Sequence, residues 1–218
     1  MKLIAKVLIL YPVFIGVFLF LPAGSIRYYE AWIYSVALFI PMITTLLYLV
    51  KYDPKLLERR MRYKEKEEKQ KLIIRLSRLP FIAGFLIPGF DYRFSWSDVP
   101  IAFVILANVI VMAGYFFVFL VFRENSYTSR IVEVEKEQEV ITTGPYSIVR
   151  HPMYTGTIFM FLFTPLALGS WWAIIAFALW PVVLVYRIFD EERVLMKDLK
   201  GYKEYCEKTR YRLIPMVW

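Results

Sequence analysis

At 218 residues the chain has room for one or two soluble domains, but 59% of it is hydrophobic and 18% aromatic, well above the roughly 45–50% apolar content of an ordinary globular domain. With a mean hydropathy of +0.49, disorder, a collagen-like repeat and a water-soluble single-core protein are excluded, and the lone Cys206 and lone His151 exclude a disulfide framework and a His- or Cys-rich metal centre. In so apolar a chain the net charge of +8 marks the cytoplasmic face of a membrane protein rather than a nucleic-acid surface.

Crossing a bilayer takes about 20 mostly apolar helical residues. Leu3–Leu21 is the first such stretch, interrupted only by Lys6. Its basic start and its closing Leu-Pro-Ala-Gly-Ser imitate a signal peptide. The apolar run is longer than a usual signal core and further spans follow, so an uncleaved first helix is expected. Ala31–Val50 follows without a charge. Asp53–Lys71, reading DPKLLERRMRYKEKEEKQK, is the most charged stretch. Its Glu58/Arg62, Glu65/Lys69 and Glu67/Lys71 stand four apart, as on a solvated surface helix. It therefore reads as a cytoplasmic connector touching anionic lipid, with part of a lid over a site as the second reading. Leu72–Phe90 carries Arg75 and Arg78 in its first turns, so it starts as an interfacial helix and enters the bilayer near Leu79. Val99–Phe122 is uncharged. Met153–Leu168 and Trp171–Tyr186 are shorter and are separated by the turn signal Gly169-Ser170. Together, Pro152–Phe189 reads as a helical hairpin whose tip reaches the far face.

The expected fold class is all-α: a multi-pass integral membrane protein with six crossings, or five and a re-entrant segment. Residues 1–122 form N-terminal transmembrane helices with a charged cytoplasmic connector at 51–78. With both termini on one side, 25 of the 27 Lys and Arg fall on that side, and only Arg27 and Arg93 lie opposite. The positive-inside rule then places both termini in the cytoplasm. Tyr28, Tyr29, Trp32, Trp96, Trp171 and Trp172 gather near the other face, as an interfacial aromatic belt does.

Two polar blocks remain to be explained, both on the cytoplasmic side. Thr143–Gly156 (TGPYSIVRHPMYTG) leads into the hairpin's first limb, and Arg187–Pro215 continues from its second. The hairpin returns the chain to one face, so the blocks should meet there. Pro152 suits a first helical position. Arg150, His151 and Tyr154 then cluster at a helix N-terminus, where free backbone N–H groups and the dipole favour an anion. Asp190, Glu191 and Glu192 form an acidic knot at the end of a membrane helix. A basic site with a histidine facing an acidic cluster suits a zwitterionic ligand. Taken singly, these residues also fit an interfacial role, with arginines snorkelling and tyrosines anchoring at headgroups. The glycines form neither GxGxxG nor a P-loop.

The combination GPYSIVRHPMYTG, DEERVL and GYKEYCEKTRYRLIP resembles the isoprenylcysteine carboxyl methyltransferase family of integral membrane enzymes, a group that includes phospholipid N-methyltransferases. The resemblance covers roughly Asn125–Trp218, and DPKLLERRMR is also similar. It implies a C-terminal methyltransferase region at 123–218, with a cytoplasmic pocket for S-adenosylmethionine as methyl donor and no metal. Tyr146, Arg150, His151 and Tyr154 match the family's first cofactor motif, and Glu191, Glu192, Tyr202 and Tyr205 its second. On this reading Arg150 and His151 hold the donor's carboxylate, and Glu191 or Glu192 its ammonium or ribose hydroxyls. Arg187, Arg193 and Glu192 are the candidates on the catalytic side, an arginine holding an acceptor carboxylate. One departure is Glu137-Gln138-Glu139, where many relatives carry a Gly-His turn. The acceptor is expected to be a lipophilic or lipidated molecule, not a nucleic acid, entering from lipid between the hairpin and Val99–Phe122. The competing readings are an NADPH-dependent membrane reductase of the sterol-reductase type and a non-enzymatic membrane scaffold.

Overall fold

The computed structural model describes residues 2–62, 68–135 and 137–218. Among them the chain is helical, without strands. Helix α1 (Lys2–Ile15) continues through a π turn at Gly16–Phe20 into Leu21–Ala23. It is followed by α2 (Tyr29–Tyr52), a short α3 (Pro54–Met61), α4 (Glu68–Phe94) and α5 (Ile101–Glu124). After a long irregular segment and a 3-10 turn at Gly144–Ser147 come α6 (Pro152–Ala167), α7 (Ala173–Phe177), α8 (Leu179–Asp198) and α9 (Tyr202–Lys208).

Among the described residues five stretches are long and apolar enough to cross a membrane: Leu3–Ala23, Tyr29–Tyr52, Gln70–Phe94, Ile101–Glu124 and Ala173–Asp198. Helices suit that task because each satisfies its own backbone polar groups without water. At about 1.5 Å per residue, roughly 20 residues match a hydrocarbon core of about 30 Å. Helix α6 has 16 residues and falls short on length. Its turn nevertheless joins the loops at the opposite end of the bundle. Tyr28 Oη donates to the Leu168 carbonyl at 2.5 Å, and Ser170 Oγ donates to Asp91. The buried Asp91 also accepts from the Ser97 backbone N–H and hydroxyl, each at 2.7 Å. The hairpin therefore runs the length of the bundle to its far end.

Four expectations change in detail. The helix expected at Leu72–Phe90 runs unbroken from Glu68 to Phe94, with Leu72, Leu76 and Leu79 all facing outward. Tyr28 is only 1% exposed and ties down the hairpin tip, whereas Tyr29, Trp32, Trp96, Trp171 and Trp172 are exposed as a belt requires. Arg62 lies just past the end of α3 and pairs with Glu133 and Glu135 rather than Glu58. The Glu65/Lys69 and Glu67/Lys71 pairs lie outside the described residues. Finally, α5 and α6 pack too closely to admit a lipid between them. A Cβ on Gly156 would lie 2.8 Å from Val118 Cγ2 and 2.9 Å from the Gly114 carbonyl. Small residues facing each other let helix backbones approach in this way, which closes the entry route expected there.

Candidate functional site

Helix α6 starts at Pro152, whose missing N–H costs nothing at that position. The two preceding N–H groups are not free to bind an anion: Arg150 N donates to the Tyr211 carbonyl and His151 N to that of Arg212, both at 2.9 Å. The C-terminal segment therefore seals this helix end, and the anion-attracting groups are side chains instead. Thr155 Oγ1 adds a third tie, donating to the Leu213 carbonyl at 2.8 Å.

On α8 the three consecutive acids diverge, because neighbours in a helix do not share a face. The expected acidic knot is thus three separate contacts. Asp190 turns toward α4, accepting from Gln70 Nε2 at 2.9 Å and pairing with Arg193 at 2.7 Å. Glu191 turns toward α6, where its Oε2 accepts from Tyr154 Oη at 2.5 Å. Glu192 turns toward the Arg150–His151 turn. Its Oε1 lies 3.1 Å from Arg150 Nε and 3.2 Å from His151 Nε2, and its Oε2 accepts from Arg212 Nε at 2.9 Å. Arg150, His151 and Glu192 are all at most 9% exposed. A carboxylate only accepts, so the His151 bond requires the proton on Nε2. The Arg150 contact is a charge contact without hydrogen-bond alignment.

Above this buried hub lies an open cleft, with about 790 Å³ of empty space when its mouth to solvent is counted. The α6 start contributes Arg150, His151 and Tyr154, α8 contributes Glu191, and the opposite side carries Tyr146, Tyr202 and Tyr205. Tyr205 Oη donates to the Tyr146 carbonyl at 2.7 Å. The Tyr202 hydroxyl is buried without a partner among the described residues. Burial pushes the phenols of Tyr146, Tyr202 and Tyr205 up, so they stand as neutral hydroxyls. Buried polar atoms rarely go unsatisfied, which makes the Tyr202 hydroxyl an unused hydrogen-bonding position in the cleft wall.

The roof is irregular backbone at 125–135 and 137–141, held by α3. Asp53 caps that helix by accepting from Leu56 N at 2.9 Å and also accepts from Ser126 Oγ. Arg59 binds Glu135 at 2.6 Å, and Arg62 binds Glu133 at 2.5 Å and Glu135 at 3.1 Å. The Arg59 guanidinium holds the Glu135 carboxyl below its usual range. The described part of this charged stretch is thus tied to the roof by Arg59 and Arg62.

Of the residues singled out from sequence, Tyr146, Arg150, His151, Tyr154, Glu191, Tyr202 and Tyr205 line one cleft. Glu192 lies behind the wall, with both oxygens engaged. Arg187 stands behind Tyr154, to whose hydroxyl its Nε donates at 2.9 Å. Arg193 stands apart, its side chain 55% exposed beside Asp190. Sequence reasoning missed Arg212, although it stands inside the YRLIP motif, and missed the roof, whose residues carry no periodic or motif signal. Among the described residues no group of three His, Cys, Asp or Glu could hold a metal.

Residues 102–202 match the model of the phospholipid methyltransferase family. Over 146 residues the chain is 28% identical to protein-S-isoprenylcysteine O-methyltransferase B of Arabidopsis thaliana, covering 63% of this chain and 70% of that protein. Over 87 residues it is 32% identical to the mouse Delta(14)-sterol reductase TM7SF2, covering 37% of this chain but only 20% of the reductase. The resemblance drawn from the RHPMY and DEERVL segments is thereby borne out: this chain is similar to the isoprenylcysteine and phospholipid methyltransferase group.

Proposed function

We propose that this chain is an integral membrane methyltransferase that uses S-adenosylmethionine and acts on a lipophilic acceptor. The observation that carries the reading is the convergence of the Arg150–His151 turn and the Glu191–Glu192 turn on one aromatic cleft with an unsatisfied buried hydroxyl. The residues present fit the donor. Arg150, with its orientation set by Glu192, would take the carboxylate by a charge-assisted bond. Glu191 would take the ammonium or ribose hydroxyls, and Tyr202 would supply its unused hydrogen bond. The neighbouring tyrosine rings favour a cation. When bound, S-adenosylmethionine supplies a methyl group already activated by the positive charge on sulfur.

The protein's own work is then alignment and the exclusion of water. Arg59 and Arg62 hold the roof down, and the Glu192 hub fixes the floor. Residues 123–218 supply the cofactor walls, while α3 lends the clamp from the N-terminal part. The distribution of basic residues supports cytoplasmic termini, which puts the cleft on the cytoplasmic side.

Calorimetry with S-adenosylhomocysteine on the detergent-purified chain tests the reading. Saturable one-to-one binding, weakened at least tenfold by Arg150→Ala, is the expected result. The partial likeness to a sterol reductase names the rival. Thermal stabilisation by NADPH and none by S-adenosylhomocysteine would replace methyl transfer with reduction, and stabilisation by neither would favour a scaffold.

A further inference from the structure

We propose that a second pocket, at the end of the bundle opposite the methyl-donor cleft, binds a small zwitterion, with its primary ammonium on Glu30 and its anionic group on Arg93. This site stands apart from the methyltransferase reading and does not depend on it.

The pocket is walled by the end of the first membrane helix, the start of α2, the end of α4 with the loop after it, and the hairpin turn at Gly169. It holds about 920 Å³ of empty space when its mouth to solvent is counted. Its walls are fastened from behind. Tyr28 is tied to the Leu168 carbonyl, and the buried Asp91 holds both Ser97 and Ser170. The pocket is therefore built into the fold rather than left between loose loops.

Glu30 lines it. The side chain rests against the hairpin turn, where a Cβ on Gly169 would lie 3.2 Å from Glu30 Cγ and 3.3 Å from its Oε1. Tyr29 stands beside the same carboxyl. Glu30 Oε2 is nevertheless buried and takes no hydrogen bond among the described residues. A carboxylate oxygen only accepts, and a buried acceptor without a donor is costly. This oxygen therefore calls for an N–H or O–H donor, and an ammonium is the donor that also matches the charge. Asp98 adds a second carboxyl to the lining. The rings of Tyr28 and Tyr92, stacked with centres 4.6 Å apart, line it as well, and aromatic faces favour a cation. A quaternary ammonium would suit the rings but bring no N–H. The Glu30 oxygen thus selects a primary one.

Arg93 supplies the other sign. With Arg27 it is one of two basic residues at this end of the bundle. It is exposed at the pocket wall, beside Gly24 and 5.7 Å from the Phe94 ring centre. Among the described residues no ion pair joins it to Glu30 or Asp98, although all three line the same pocket. A guanidinium binds carboxylate and phosphate alike, so an anion attached to the ammonium has a partner here. Tyr29, Trp96 and Trp171 are exposed at the same end, as residues at headgroup level are. The zwitterion therefore has two sources, a lipid headgroup or a soluble molecule. Lying across the bundle from the donor cleft, the site is not where methyl transfer would occur.

Equilibrium binding to the full chain in detergent tests the proposal, with radiolabelled O-phosphoethanolamine, phosphocholine, lysophosphatidylethanolamine and lysophosphatidylcholine as probes. In at least one pair, soluble or lipid, the wild type should bind the ethanolamine member tenfold or more tighter than its choline counterpart. Glu30→Gln should bring that preference within threefold, and Arg93→Gln should weaken the preferred probe at least threefold. Lysophosphatidylethanolamine binding more than threefold tighter than O-phosphoethanolamine identifies a lipid headgroup, and any other order a soluble zwitterion. A smaller preference in the wild type, or no saturable binding of any probe, overturns the proposal, as does a preference that survives Glu30→Gln. Should Glu30→Gln fail to fold, Arg93→Gln decides, and unchanged binding there overturns the assignment. S-adenosylhomocysteine affinity, read on the same samples, should stay within threefold in both variants. A parallel loss of it would trace the Glu30 effect to the whole fold and overturn the site. Its absence in the wild type would strike the methyltransferase reading and leave this one standing.

Discussion

Replacing Glu192 by glutamine removes one charge and almost no volume, and so isolates the electrostatic part of the hub. In the wild type one carboxylate faces Arg150, His151 and Arg212 at 2.9 to 3.2 Å. The amide must turn its NH₂ group either toward Arg212 or toward Arg150 and His151, so at least one contact to an arginine is lost and becomes repulsive. Leaving a buried charge without its partner costs about 3–5 kcal/mol. Arg212 is 27% exposed and can regain water, which discounts the cost to about 2–3 kcal/mol. If half of this falls on Arg150, ligand affinity drops about tenfold, since about 1.4 kcal/mol is one decade. Calorimetry with S-adenosylhomocysteine and thermal unfolding on the same detergent sample read both parts. Unchanged affinity with a lowered unfolding temperature would make Glu192 merely structural and refute the reasoning. Unchanged values of both would remove the hub altogether.

Tyr202→Phe removes a hydroxyl that bonds to nothing among the described residues. It should leave thermal stability unaltered while weakening S-adenosylhomocysteine several-fold, as titration would show. The roof clamp should respond to acid. Because the folded state lowers the Glu135 pKa from 4.5, the tie is fully present above that value and fades as the pH falls through the lowered one. Hydrogen exchange across residues 125–135 should therefore accelerate in that acidic window in the wild type, and already at neutral pH in Arg59→Ala. Gly156→Val would drive a branched side chain into the Gly114 carbonyl and Val118. Overpacking of this kind costs about 1–3 kcal/mol or more, seen as a lower unfolding temperature or loss of monodisperse protein.

The membrane helices were legible because apolar length is written locally. The hairpin was legible too, since Gly169, whose φ is +69°, marks its turn. The meeting of Arg150 with Glu192 followed from that hairpin by topology alone. Which acid faced which partner did not follow, because a 100° step per residue separates Asp190, Glu191 and Glu192, and their targets lie on three different elements. The ties from α3 to the roof were hidden for a related reason. A run of charges looks solvated until the distant partners of Arg59 and Arg62 are placed, and those partners sit some seventy residues on in backbone without periodicity. The closed seam at Gly114 and Gly156 was hidden because each glycine stands alone in an ordinary apolar run.

A structure of the full chain determined with S-adenosylhomocysteine would locate the donor. Density is expected in the cleft between Tyr202 and Glu191, with the ligand's carboxylate against Arg150. Density elsewhere, or a cleft still vacant at ligand concentrations that saturate the protein, would contradict that position.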